Sequence, residues 1–487
     1  MDISIQASGT IVLRGQLRPL LQTRRFATLI ALTGLLPGCA GSQADDSRLS
    51  PMTVMAQDNA PLGESEARWP REEWWRAYGS AELDRLVAEA QRANMDLAMA
   101  LGRIEQARGR ARSAGALLLP AVGFDASAQR SDGSSAVVME RRGAQLSFAY
   151  EADLWGRYRA GRNAARFSLI ASRLDHEAAR LMVIGDVARH YAALMTVRER
   201  QAIGRLNLEA ARRLLARVEA MDRLGLALAG DLAAQRALVA GEEADLAALG
   251  QAEGEYLAAL ALLAGQPARS FAVAGYGLAA MARLPAVSPG LPSELLLRRP
   301  DIASAEATLA AASADVRAAR AAMLPGISLT AARGVEGGTG PSAAFYNLLA
   351  GLTQPILDHG RLAGERDTAE GVRIEREGAY RKTILLALSE VERDLKAMES
   401  LERSIAALES QVREASRAAD AAEARYRAGV DEIIASLDAQ RTLYAARGRL
   451  AQAQGDRLAA SISLQQGLGG GWIHQETNRQ SPPSTGR

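Results

Sequence analysis

Leu119-Pro120, followed by Phe124-Asp125-Ala126-Ser127-Ala128-Gln129, is the stretch on which the fold turns. It returns 205 residues later as Leu324-Pro325, followed by Ile327-Ser328-Leu329-Thr330-Ala331-Ala332. In each copy a proline, which cannot continue a helix, gives way to alternating residues, the period of a strand with two unlike faces. Working outward, Gly156-Arg157 matches Gly360-Arg361 at an offset of 204, Gly225 matches Gly429 at 204, and Gln235-Arg236 matches Gln440-Arg441 at 205. Landmarks agreeing to within one residue over such a span identify a duplicated plan.

Each copy reads helix–strand–strand–helix. Leu83, Leu86, Ala90, Leu97, Leu101 and Ile104 share one helical face, and the helix is expected to run to Leu119. A Gly- and Ser-rich loop, Ser131 to Gly143, separates the first strand from a second at about Ala144 to Glu151. A coiled-coil seam spaced three and four apart then runs from Gly156 to about Leu224, and a further helix from Asp231 to Leu263. About 70 residues of helix extend roughly 100 Å, far beyond ordinary globular helices. The second copy predicts a helix over Ser293–Met323, a strand from Ile327, a strand over Phe345–Thr353, a long helix after Gly360 and a last helix over Glu432–Gly467. The expected organisation is a first repeat over residues 73–264, a Pro- and Gly-rich linker over 265–292, a second repeat over 293–472, and a disordered polar tail over 473–487.

Composition agrees with long, closely packed helices: alanine is abundant and aromatics are only 4%. A net charge of +2 gives no electrostatic footprint for nucleic acid. Of 58 basic residues only Lys382 and Lys396 are lysine, and no function is read from that. His176, His190, His359 and His474 are scattered, without cysteine partners, so neither a metal nor a catalytic site is expected. No phosphate-binding GxxxxGK[ST] loop is present in the sequence.

The single cysteine, Cys39, follows Arg24-Arg25, an apolar run from Phe26 to Pro37, and Gly38. That order is a secretory signal over residues 1–38, its apolar run too short to span a bilayer, which takes about 20 residues. The stretch ending in Cys39 resembles a bacterial lipoprotein box, which implies a covalent lipid on the Cys39 thiol, although Pro37 departs from its usual small residue. Ala40 rather than aspartate follows, which by the same resemblance implies sorting to the outer membrane. An ordinary cleaved signal with an incidental cysteine is the other reading. Residues 39–72 are expected to be an extended linker.

Four strands per chain cannot close a barrel, and an open sheet has unpaired edges that a bilayer excludes. If these strands cross a membrane, several chains share one barrel. Strands of about eight to ten residues are near the ~9–11 needed for a tilted crossing. Strand pattern alone does not exclude a soluble pair of hairpins.

The chain resembles the outer-membrane efflux lipoproteins of the TolC superfamily, closest to the OprM/NodT-like branch. The resemblance covers about Trp74 to Trp472. It rests on Trp74-Trp75, Tyr150-Glu151-Ala152-Asp153-Leu154-Trp155-Gly156-Arg157, Leu297-Arg298-Arg299-Pro300-Asp301-Ile302, Tyr426-Arg427-Ala428-Gly429-Val430, Leu437-Asp438-Ala439-Gln440-Arg441 and Leu468-Gly469-Gly470-Gly471-Trp472, in that order. It implies a mainly α fold with a β-barrel portion: a homotrimer whose 12-stranded outer-membrane barrel continues into a periplasmic α-barrel. It implies a passive exit duct for drugs or other small molecules, with no catalysis and no cofactor beyond the lipid. The implied partners are a periplasmic adaptor and an inner-membrane pump of the RND type. By matching positions, Tyr426, Asp438 and Arg441 correspond to the network that closes the periplasmic gate, and Ile434 to an apolar constriction. Gly225 and Gly429 mark the helix-hairpin tips. Asp438 and Arg441 stand i,i+3 on one helix, which by itself describes an ordinary surface pair. Gly225-Leu226-Ala227-Leu228 lacks the charge of Val430-Asp431-Glu432, so the two tips are expected to contribute unequally. A type I protein-secretion duct is the nearest alternative. A periplasmic coiled-coil adaptor or scaffold is the alternative from another class, disfavoured by the doubled plan.

Overall fold

The computed structural model describes residues 3–5, 10–13, 69–132, 138–225, 229–281, 283–286, 292–338, 340–431 and 433–472. Cys39, residues 14–38, nearly all of the 39–72 segment and the 473–487 tail lie outside the described residues. In chain order the elements are β1 (Ile3–Ile5), β2 (Thr10–Leu13), α1 (Ala81–Ala93), α2 (Met95–Ala116), β3 (Ala121–Asp132), β4 (Val138–Ala152), α3 (Arg157–Arg223) and α4 (Ala229–Leu263). They continue with α5 (Pro292–Leu296), α6 (Pro300–Ala322), β5 (Gly326–Gly338), β6 (Ala343–Thr353), α7 (Arg361–Arg427) and α8 (Ile433–Gly467). The duplication is visible in lengths: α3 and α7 have 67 residues each, and α4 and α8 have 35 each. None of the described helices is apolar and long enough to cross a membrane.

The chain divides into two compact units, one of residues 1–56, 105–170 and 306–379, the other of 57–104, 171–305 and 380–487. The first holds an antiparallel sheet in the order β1-β2-β6-β5-β4-β3. Its register aligns Val122, Phe148, Ala331 and Leu348 in one row and Phe124, Leu146, Arg333 and Tyr346 in the next, all on one face. The opposite face carries Gly123, Ser147, Ala332 and Asn347, then Asp125, Gln145, Gly334 and Phe345. There the Ser147 hydroxyl lies 3.2 Å from both the Gly123 carbonyl and the Asp125 carboxylate. Apart from Arg333, these two rows of the first face are apolar, and they are uncovered: Val122 is 60% exposed, Phe124 71% and Leu348 58%. A contiguous bare apolar face marks a surface made to meet another apolar medium.

The second unit has a conventional core. Trp74, Trp75, Tyr78, Leu83 and Leu86 pack against Ile184, Val187, Tyr191 and Leu194 of α3, Leu260 of α4 and Ile462 of α8. Polar groups tie this core together, with the Tyr78 hydroxyl 2.8 Å from Ser461 Oγ, and Glu82 accepting from the Ala274 and Gly275 N–H groups at 2.7 Å.

Three expectations are corrected. The first helix is two, because Asn94 interrupts it: its side-chain oxygen accepts from the N–H groups of Asp96 at 2.9 Å and Leu97 at 3.2 Å, capping α2. The helix expected over Ser293–Met323 is also two, because Pro300 opens α6 at the position where a missing N–H costs nothing. The strands are longer than expected, at 12, 15, 13 and 11 residues. Much of the stretch read as a loop continues the ladder, Arg130 opposite Glu140 and Ala128 opposite Arg142, and polar cross-strand pairs conceal it from apolar alternation. The four expected repeat strands are all present, and two short strands from within the expected signal join them, Thr10–Leu13 pairing antiparallel with Leu348–Gly351. The outer edge of β6 has unpaired donors and acceptors, and a neighbouring extended segment satisfies them.

Candidate functional site: the hairpin tips

The tips are built by two glycines. Gly225 and Gly429 both have φ near +72°, and nothing lies within 4 Å of where a Cβ would stand, so conformation rather than space selects glycine. At the second tip the Gly429 N–H donates to the Tyr426 carbonyl at 3.0 Å, and the Val430 N–H to the Arg425 carbonyl at 3.0 Å. That double bond set ends a helix while satisfying its last carbonyls. Arg425 then reaches over the turn to Asp431 at 2.9 Å. Asp431 is thus engaged within its own tip; Glu432 lies outside the described residues, as do Leu226, Ala227 and Leu228 of the first tip.

The structure brings the two tips side by side. Tyr426 places its hydroxyl 3.2 Å from Met221 Sδ, and Arg217 lies 3.3 Å from Glu423. Beneath them Leu208, Ala211, Leu214 and Val218 of α3, Leu238 and Val239 of α4, and Ile433 and Leu437 of α8 form one apolar cluster. Tyr426 packs on that cluster, and burial, with the Asp231 carboxylate adding to it, raises its phenol pKa.

Ile434, Asp438 and Arg441 stand i, i+4 and i+7 on α8 and form one exposed stripe, beside the buried Ile433 and Leu437. Ile434 is 48% exposed, and Asp438 and Arg441 are 3.8 Å apart. The sequence-assigned gate residues therefore divide: three share a stripe facing away from the chain's own helices, and Tyr426 belongs to the packing between tips. A repeat-related pair goes deeper. Gln235 is fully buried and donates to the Ala211 carbonyl at 2.6 Å; among the described residues its side-chain oxygen and that of Gln440 have no partner.

Sequence reasoning missed a second polar assembly away from the tips. Arg299, at the α6 N-terminus, binds Asp301 through two nitrogens at 2.7 and 3.0 Å, Glu390 at 2.9 Å and the Gly467 carbonyl at 3.2 Å. Burial alone would lower its pKa, but hydrogen bonds and charge from Asp301 and Glu390 push it up. Nearby, Gly469, Gly470 and Gly471 all have positive φ, and a Cβ on Gly469 would stand 1.8 Å from the Arg298 carbonyl oxygen. Both stretches carried the family resemblance, but only as strings of residues. Spacing alone gave no reason to join positions so far apart.

Comparison with known proteins decides what this architecture belongs to. The family model described as outer membrane efflux protein matches twice, over residues 86–266 and 291–470. The chain belongs to the outer membrane efflux protein family. It is 40% identical to the pyoverdine export outer membrane protein OpmQ of Pseudomonas putida over 432 residues, which is 85% of this chain and 91% of that one. Identity to OpmQ of Pseudomonas aeruginosa is 38%, over 91% and 96% of the two chains. Among solved structures, the Campylobacter jejuni CmeC outer membrane channel superposes with a TM-score of 0.78 at 25% identity, covering 85% of this chain and 92% of CmeC. The protein is therefore an outer-membrane efflux channel component, with the mainly helical, TolC-like architecture of that family. Its family is one of transporters rather than enzymes.

Proposed function

We propose that three copies of this chain form one exit duct, β3 to β6 of each closing a 12-stranded barrel in the outer membrane. The observation that carries this reading is the sheet itself. Its four long strands present one bare apolar face and one polar face, the outward and inward faces of a membrane barrel. The acceptance of Thr10–Leu13 by the edge of β6 supports it, since the same edge suits a neighbour's β3 once the signal is removed. A lipid on Cys39 anchors the mature chain.

At the periplasmic end the stripe of Ile434, Asp438 and Arg441 closes the duct. Three copies of Asp438 concentrate negative charge in a narrow neck, which favours cations and resists anions. Arg441 offers a guanidinium fork to a carboxylate of the adjoining chain. A periplasmic adaptor docks at the tips, and an inner-membrane pump of the RND type supplies the energy. The likeness to proteins named for pyoverdine export supports a small secreted molecule of that kind as the substrate.

The test compares culture supernatant and periplasm of a deletion strain with its complemented parent by mass spectrometry, alongside a drug-susceptibility panel. One class of small molecule should accumulate in the periplasm and return to the medium on complementation. Identical profiles and unchanged susceptibility would overturn the reading.

A further inference from the structure

The outward face of the sheet is not uniformly apolar. Arg333 stands in the row of Phe124, Leu146 and Tyr346, is exposed, and has no ion-pair or hydrogen-bond partner among the described residues. On the same face, towards the β3–β4 connection and away from the helices, lie Arg130 and Arg142. They share one carboxylate, Glu140, at 3.7 and 3.3 Å. Connecting residues 133–137 and 339–342 carry no charged side chain, and even with Asp132, which ends β3, positive charge is in excess here.

Position along the strands says what this cluster meets. Ten residues separate Ile327 from Gly337, the residue opposite Arg142. At ~3.4 Å per residue and a tilt of ~40° they rise about 26 Å, the height of an outward apolar band. Arg130 and Arg142 therefore stand at the outer boundary of that band. Arg333 lies four residues deeper, roughly 10 Å, where a guanidinium is tolerated by extending along its own stem to the headgroups. Tyr346, directly opposite Arg333, is of the type that sits with its ring in the apolar layer and its hydroxyl in the interface. The inward face at this level balances its charge, with Arg141 paired to Glu336.

We infer that Arg130, Arg142 and Arg333 form a binding surface for phosphate-bearing lipid headgroups of the outer leaflet. Guanidinium forks match phosphate bidentately, and with Arg130 and Arg142 sharing one carboxylate and Arg333 unpaired among the described residues, donors remain for an anionic acceptor. This rests on the barrel reading above, which fixes which face meets lipid.

The experiment reconstitutes the full-length protein in nanodiscs of phosphatidylethanolamine alone, or with bisphosphorylated lipid A. Lipid retained by the purified trimer is measured for the parent, for R130Q/R142Q/R333Q, and for R141Q on the inward face. The parent and R141Q should retain lipid A, and the triple variant should lose at least about tenfold in affinity, the least that removing one charge-assisted phosphate contact implies. The corresponding triple lysine variant should recover part of that loss, and added salt should weaken binding. Equal retention by parent and triple variant would overturn the proposal, as would competition by inorganic phosphate as strong as by lipid A. A parent that yields no trimer would instead defeat the barrel reading.

Discussion

Replacing Asp438 by alanine separates a surface pair from a gate. Within one chain the carboxylate and the Arg441 guanidinium are 3.8 Å apart, with side chains 69% and 47% exposed. At that exposure a pair three residues apart on a helix contributes only ~0.2–0.5 kcal/mol. Asp438→Ala should therefore leave thermal stability within about 0.5 kcal/mol of the parent. Three chains around a pore add something else. If each Asp438 faces a cation of its neighbour, three exposed contacts of up to ~1 kcal/mol sum to about 3 kcal/mol. Losing that much shifts the closed-to-open ratio by roughly 100-fold. The assay is single-channel recording of purified parent, Asp438→Ala and Arg441→Ala in planar bilayers, with unfolding followed in parallel. Both variants should show raised conductance or open probability with unchanged melting. Unchanged conductance would refute the gate, and a loss of several kcal/mol in stability would refute the assignment of the pair to an exposed stripe.

Further outcomes follow from other sites. Gly469→Ala places a Cβ against the Arg298 carbonyl at a φ of +88° and should cost at least ~2 kcal/mol; Gly448→Ala, with open space around it in α8, should be neutral or stabilising by up to ~1 kcal/mol, both read by thermal unfolding. Arg299→Ala leaves Asp301 and Glu390 without their shared cation. Because those carboxylates are partly exposed, the loss should be about 2–3 kcal/mol rather than the larger cost of a fully buried pair, read by denaturant unfolding. Burial raises the pKa of Asp315, so its charged form weakens the fold at neutral pH and the contribution is favourable only at acid pH; Asp315→Asn should stabilise at pH 7, with the gain vanishing as pH falls below the carboxylate range. Cys39→Ala should abolish metabolic labelling with palmitate, and persistent labelling would refute the lipid attachment.

The repeat and the long helices were readable because glycine and proline punctuation recurs at one offset and the seam spacing persists for many turns. Periodicity continues across Asn94 and Pro300, so the sequence predicts helix interior at both, and only cap geometry reveals the breaks. The strands outrun their apolar alternation because Arg130, Glu140, Arg141 and Glu336 support the ladder by charge, which that alternation does not register. The grouping of Ile434, Asp438 and Arg441 on one stripe follows from helical spacing, whereas their exposure does not. Tyr426 shares their sequence neighbourhood, but its surroundings come from α3, far away in the chain. The Arg299 assembly joins residues 91 and 168 positions apart, a distance no local pattern spans.

The most direct test of the shared-barrel account is the mass and location of the native assembly. Outer membranes extracted in mild detergent should give, by native mass spectrometry, a species of three chains that survives purification. A single chain confined to the soluble periplasm would contradict the account, because four strands cannot close a barrel alone.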